Sequence, residues 1–131
     1  SLAPTATFFL PDTPGVQIHP LVCPQEDETV VKKHFPNSFR DTALLDLLKI
    51  RGITSIALAG MMTHMCVDTT TRAAFDLGVT CHLAHDACAT RDLAHEGKTV
   101  EAAQVQTAYM AALGQVFAKV MSTREMCASI A

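Results

Sequence analysis

The 131 residues contain no tryptophan and a single tyrosine, and aromatic side chains make up only 5% of the chain. Any core must therefore be aliphatic and methionine-rich. Positive charge is also sparse. Ten Lys and Arg stand against thirteen Asp and Glu, for a formal net charge of -3. Only Lys32 and Lys33 are adjacent. Nucleic acid and an anionic membrane surface are thereby disfavoured as partners. No apolar run approaches the roughly 20 residues that span a bilayer. The opening Ser-Leu-Ala-Pro-Thr-Ala-Thr has neither the basic start nor the long apolar stretch of a secretory leader. The six glycines never group, which excludes a phosphate-cradling loop. The five cysteines are odd in number and lack a C-x-x-C pair, which argues against a disulfide framework or a zinc site and fits a reducing cytoplasm.

What is present is enough hydrophobic sequence, 49%, to build one domain over residues 1–131. Ser1 to Asp27 holds five of the six prolines and reads as loop and turn. Val30 to His34 is a short strand candidate, stopped by Pro36. Asp41 or Thr42 can cap a helix over Ala43 to Arg51, closed by Gly52. Ile53 to Ala59 is the near-continuous apolar run of a strand covered on both faces. A second helix runs from about Met65 to Leu77 and ends at Gly78. Val79 to Ala84 is the next strand, and Asp86 to Lys98 is polar and irregular. Thr99 can cap a long helix from Val100 to about Leu113, with Val105, Tyr109, Ala112 and Leu113 inward. Phe117 to Met121 reads as a last strand, and Ser122-Thr123-Arg124-Glu125 as a capping box opening a terminal helix. Strict alternation of strand and helix predicts an α/β fold with a parallel sheet and helices on its faces.

In such sheets the ligand crevice lies beyond the carboxyl ends of the strands. Lys33, Cys66 and Asp86 each fall at or just after such an end. Cys66 sits between an apolar strand and an amphipathic helix. There, unpaired backbone N–H groups and the positive end of the helix dipole favour a nucleophilic thiolate. Met61 to Met65 supplies backbone that can face a carbonyl oxygen. On spacing alone, an inert small hydrophobe is the commoner role of such a cysteine, and a solvated surface cation that of Lys33. His64 stands too close in sequence to Cys66 to face it as a base, and reads as pocket-lining or structural. His82 and His85 lack an acidic partner at ligand spacing, so no metal site is expected from them.

Three ordered segments change that balance: Lys33-His34-Phe35-Pro36-Asn37-Ser38-Phe39, then Gly60-Met61-Met62-Thr63-His64-Met65-Cys66-Val67-Asp68, then Asp86-Ala87-Cys88-Ala89-Thr90-Arg91-Asp92. Together they resemble the isochorismatase-like cysteine hydrolases. Pro14 to Pro20 resembles the turn that these proteins place before the Lys strand. The resemblance implies a three-layer α/β/α Rossmann-like parallel sheet. It also implies a hydrolase for C–N bonds of small amide or carbamoyl compounds. Cys66 would be the nucleophile with Lys33 beside it, and the Met62 and Cys66 N–H groups would form an oxyanion hole. A cis peptide would join Met61 and Met62. Phe39, Phe35 and His64 would line the pocket. Members lacking the Cys act on isochorismate, so Cys66 favours the amidase branch. No Asp-x-His metal segment corresponds, so neither metal nor cofactor is implied. Members are commonly oligomers, which implies a homo-oligomer.

The resemblance also implies an Asp at the end of a first strand, and no such segment occurs here. About two strand–helix units, on the order of 50 residues, have no counterpart. The expectation is therefore a domain incomplete at its N-terminus, lacking its first one or two strands and slow or inactive alone. A non-catalytic scaffold or assembly module without a complete triad is the alternative. A redox pair of Cys66 and Cys88 is a third, weaker reading.

Overall fold

A computed structural model describes residue 10 and residues 12–130. Pro4 and Pro11 of the proline-rich loop lie outside the described residues. The described part of that loop carries two single 3-10 turns, Pro14–Val16 and Pro20–Val22. Each opens on a proline, whose fixed φ suits a first helical position and whose missing N–H is not needed there.

The strand expected at Val30 to His34 is not formed. Residues 29–33 carry no regular structure, and Val30 is 54% exposed. An extended segment becomes a strand only beside a ladder partner, and no described strand pairs with this one. The first helix, α1, is Leu44–Ile50. The Thr42 hydroxyl accepts from the Leu44 N–H at 3.3 Å and donates to the Ser38 carbonyl at 2.6 Å, the helix-opening role expected at Asp41 or Thr42. Strand β1, Ser55–Met61, begins two residues later than expected. It runs into a π-helical turn, Thr63–Val67, and then into α2, Asp68–Asp76. Gly78 follows α2 at φ 77°, a left-handed cap that a side chain would strain.

Strand β2, Thr80–Ala89, runs past the expected end at Ala84. The region expected to be irregular also holds an antiparallel hairpin, β3 Leu93–His95 and β4 Lys98–Val100. Its two-residue turn, Glu96-Gly97, has positive φ at both positions, the twist that matches a hairpin. Helix α3 is Ala102–Val116, strand β5 is Lys119–Met121, and α4 is Thr123–Ile130. Thr99 does not cap α3. Asp92, ten residues away, accepts from the Ala102 N–H at 2.8 Å. The buried face of α3 is Val105, Met110 and Leu113, with Ala112 exposed. The capping box at α4 is formed as expected: Glu125 accepts from the Ser122 N–H at 2.8 Å, and the Ser122 hydroxyl accepts from the Glu125 N–H.

The sheet is parallel in the order β1-β2-β5. Alternation along β2 sends Cys81 and Leu83 to one face and Ala84 to the other. On the first face, Leu48 of α1, Ala74 of α2 and Cys81 form one cluster, and Leu83 with Val67, Met110 and Leu113 a second. On the opposite face Ala84 and Met121 meet Met126 of α4. Helices thus lie on both sides of a parallel sheet, which makes an α/β fold. Gly114 of α3 lies so close to β5 that a β-carbon added to it would stand 3.3 Å from Val120. Strand β1 is not covered on both faces as expected: Ile56 and Leu58 pack inward, whereas Ala57 and Ala59 are exposed.

The parallel register breaks where the site lies. Leu58 pairs with Leu83, but Gly60 pairs with Cys88, so one residue of β1 stands against the four residues Ala84 to Ala87 of β2. This bulge at the carboxyl end of the sheet re-aims everything after it.

Candidate active site

Cys66 lies in the π-helical turn between β1 and α2, half-buried and unpaired. Gly60, near the end of β1, takes φ 132°, a conformation side chains rarely tolerate. The Met61–Met62 peptide is cis, as the resemblance implies. The Met62 carbonyl then accepts from the Met65 N–H at 3.0 Å and the Val67 N–H at 3.3 Å, which closes the turn. Among the described residues, the Met62 N–H donates to no acceptor. A half-buried sulfur and an uncommitted amide thus share one turn at the start of a helical run.

Side chains tie this turn to the other two motifs. The Thr63 hydroxyl is fully buried, 2.7 Å from Gln106 Oε1 on α3 and 3.2 Å from the Ala89 carbonyl. The Gln106 amide donates to the His85 carbonyl at 3.0 Å and lies 3.5 Å from that of Cys88. His64 Nδ1 meets the Thr90 hydroxyl at 2.6 Å, and its ring stands edge-on to Tyr109 at 6.3 Å. Burial first, and then Arg91, hold the His64 imidazole below the ordinary histidine value, so it is neutral at neutral pH. On the other side, Thr70 of α2, one turn beyond Cys66, accepts from the Ser38 N–H at 3.1 Å and stands 3.3 Å from the Pro36 carbonyl. Lys33 Nζ donates to that same carbonyl at 3.0 Å and to that of Phe35 at 2.9 Å. The third motif is thus tied to the turn itself, and the first to α2, one helical turn beyond Cys66. The Lys33 ammonium is engaged with two carbonyls, one of which Thr70 also meets.

The other expected positions have neighbours of their own. Phe39 packs against the Leu48, Ala74 and Cys81 cluster. Phe35 lies under the Arg40 guanidinium at 3.6 Å. Asp86, which the strand ends place with Cys66, instead holds the start of α4, accepting from the Thr123 N–H at 2.7 Å and from its hydroxyl at 2.9 Å. Burial raises the Cys88 thiol; a hydrogen bond from the Gly60 backbone opposes this and the Asp86 charge adds to it. Cys81 is raised by burial alone. Both are poor thiolates. Among the described residues no group of three His, Cys, Asp or Glu could hold a metal. Thr63 lies within the segment of residues 60–68, whereas Thr70 and Gln106 are legible as site residues only in three dimensions. In sequence, Thr70 is one of three threonines in a helical tract and Gln106 one of several polar residues on a long helix.

An isochorismatase domain model matches residues 3–125. The chain is 48% identical over 118 residues to an uncharacterised isochorismatase family protein of Bacillus subtilis, covering 90% of this chain and 66% of that protein. The crystal structure of an isochorismatase from Pseudomonas putida KT2440 superposes with a TM-score of 0.87 at 39% identity, over 90% of this chain and 61% of that one. A cysteine hydrolase from Pseudomonas syringae pv. phaseolicola gives a TM-score of 0.85 at 29% identity, over 88% and 55% respectively. The chain thus spans less than two thirds of the length of these relatives. No described helix is long and apolar enough to cross a membrane.

Proposed function

Because the chain belongs to the isochorismatase family of hydrolases, we propose that it is a cysteine hydrolase cleaving a C–N bond of a small amide or carbamoyl compound. The observation that carries this reading is the half-buried Cys66 in a turn whose Met62 N–H has no described acceptor. Cys66, as thiolate, bonds to the carbonyl carbon while the carbonyl π electrons move to oxygen. The Met62 and Cys66 amides stabilise that oxyanion. The oxyanion collapses, the C–N bond breaks, and nitrogen leaves as ammonia or an amine carrying the proton that the thiol gave up. Water then attacks the thioester, releasing the acid and regenerating the thiol. Lys33 holds negative charge near the thiol, and Phe39, Phe35 and His64 border the substrate. The five unpaired cysteines support a reducing, cytoplasmic setting, and assembly with further copies of the chain belongs to the same reading.

The engagement of Lys33 by two backbone carbonyls favours a second reading, a non-catalytic scaffold. One experiment separates the two. The protein is incubated with a panel of small primary amides and carbamoyl compounds, with amine release and intact mass recorded. The enzyme reading expects release, a transient acyl adduct mapped to Cys66, and at least about 1,000-fold loss in Cys66→Ala. Amine release that survives Cys66→Ala, or no release and no adduct with any compound, overturns it.

A further inference from the structure

The bulge in β2 and the turn that carries Cys66 are joined by one side chain that the reaction itself does not use. We infer that Gln106 is a positioning residue for Cys66, its amide clamping the β2 bulge to Thr63 and so setting the turn that presents the thiol. The inference rests on the reading of Cys66 as nucleophile.

The orientation of the Gln106 amide follows from its neighbours. The His85 and Cys88 carbonyls, at 3.0 Å and 3.5 Å, can only accept, so the NH2 group must face them. Oε1 then faces the Thr63 hydroxyl at 2.7 Å. That hydroxyl has one proton. The shorter contact takes it, and the Ala89 carbonyl at 3.2 Å is left the lesser acceptor. Thr63 is fully buried, so loss of the glutamine leaves its hydroxyl with the Ala89 carbonyl as its remaining protein acceptor. Of the two carbonyls that receive the amide, that of His85 lies within the segment where the β1–β2 register is lost and that of Cys88 directly follows it. The ladder does not hold this part of β2 to β1, and Gln106 does so from α3.

Thr63 is well placed to transmit the constraint. It directly follows Met62, whose N–H is uncommitted, and precedes Cys66 by three residues in the same turn. Rotation of Thr63 would move the amide and the sulfur together. His64–Thr90 is a second, part-buried tie from this turn to the residues after the bulge. A displacement of about 1 Å at a reacting group can lower a rate by two orders of magnitude, so a clamp that removes this freedom matters for chemistry more than for global stability.

Peptide-resolved alkylation of the full chain by iodoacetamide tests the inference without a substrate. In the wild-type protein Cys66 should react faster than the exposed Cys127. In Gln106→Met, which keeps length and loses both hydrogen-bonding functions, Cys66 alkylation should fall about tenfold or more, with Cys127 unchanged. Thr63→Val should match it, and Thr63→Ser should restore the wild-type rate. The double variant Thr63→Val/Gln106→Met should be no slower than either single one, because both break the same clamp. Wild-type Cys66 rates in a cooperatively melting Gln106→Met protein would overturn the inference and leave Cys66 as nucleophile. If that variant does not fold, equal rates in Thr63→Val and Thr63→Ser overturn it instead. A wild-type Cys66 no faster than Cys127 removes the nucleophile and the inference together.

Discussion

Leu83 is fully buried in the middle strand, between Val67 on one side and Met110 and Leu113 of α3 on the other. Truncation there loses transfer energy and leaves a cavity between a strand and a helix that cannot both relax into it. Leu83→Ala should lower unfolding free energy by about 2–5 kcal/mol, read from the urea midpoint at unchanged slope; a loss below about 1 kcal/mol would show that α3 collapses onto the strand. Cys66 and its turn were legible at this scale, because a thiol between an apolar strand and an amphipathic helix, inside an ordered set of motifs, is a local pattern. Gln106 was not. Its partners lie 18 to 43 residues away, and nothing in its own stretch of helix distinguishes it from a solvated side chain.

Elements are held by caps of two kinds. Ser122 and Glu125 close the start of α4 locally, and that pair was readable from spacing. Asp86 closes the same helix from 37 residues away, and Asp92 closes α3 from the far side of a hairpin. Only the fold brings those carboxylates to the helix ends, so the sequence placed Asp86 with the chemistry rather than with α4. Asp86→Ala should therefore loosen α4 while sparing α3. Amide exchange should speed up across residues 123–130 and stay unchanged across Ala102–Val116; uniform acceleration of both helices would contradict a local cap. The strand expected at Val30 to His34 failed for the converse reason. Its side-chain pattern suits a strand, but a strand is a property of two segments, and no described strand pairs with it.

For the molecule as a whole, the strand–helix alternation was enough to imply the parallel α/β architecture, since each element had only one way to bury its apolar face. The bulge and the hairpin stayed hidden because polar residues carry them. The electrostatics give a further consequence. Asp86 and Glu125 are both lowered, first by backbone hydrogen bonds, from Thr123 and Ser122 respectively. His64 is lowered chiefly by burial. A lowered folded value means that the unfolded chain binds the proton more readily, so each contribution is present above the ordinary value and lost as pH falls. The ordinary values are 6.5 for His64, 4.5 for Glu125 and 3.8 for Asp86. The thermal midpoint should thus decline on the acid side in two stages, first below the histidine value and again through the carboxylate range. His64→Phe should remove the first stage alone; a midpoint that rises with acidification would refute the assignment.

The contact between Gly114 and Val120 bears on how this sequence can drift. The layer spacing between α3 and β5 is set there by a missing methyl group, with 3.3 Å from the added carbon to the valine. A larger residue at 114 requires the Val120 side chain to give by a few tenths of an ångström, room that a smaller residue at 120 would supply. The two positions are therefore coupled, at sites that touch neither the thiol nor its clamp. Across diverging copies of this chain, volume at one position should be traded against volume at the other.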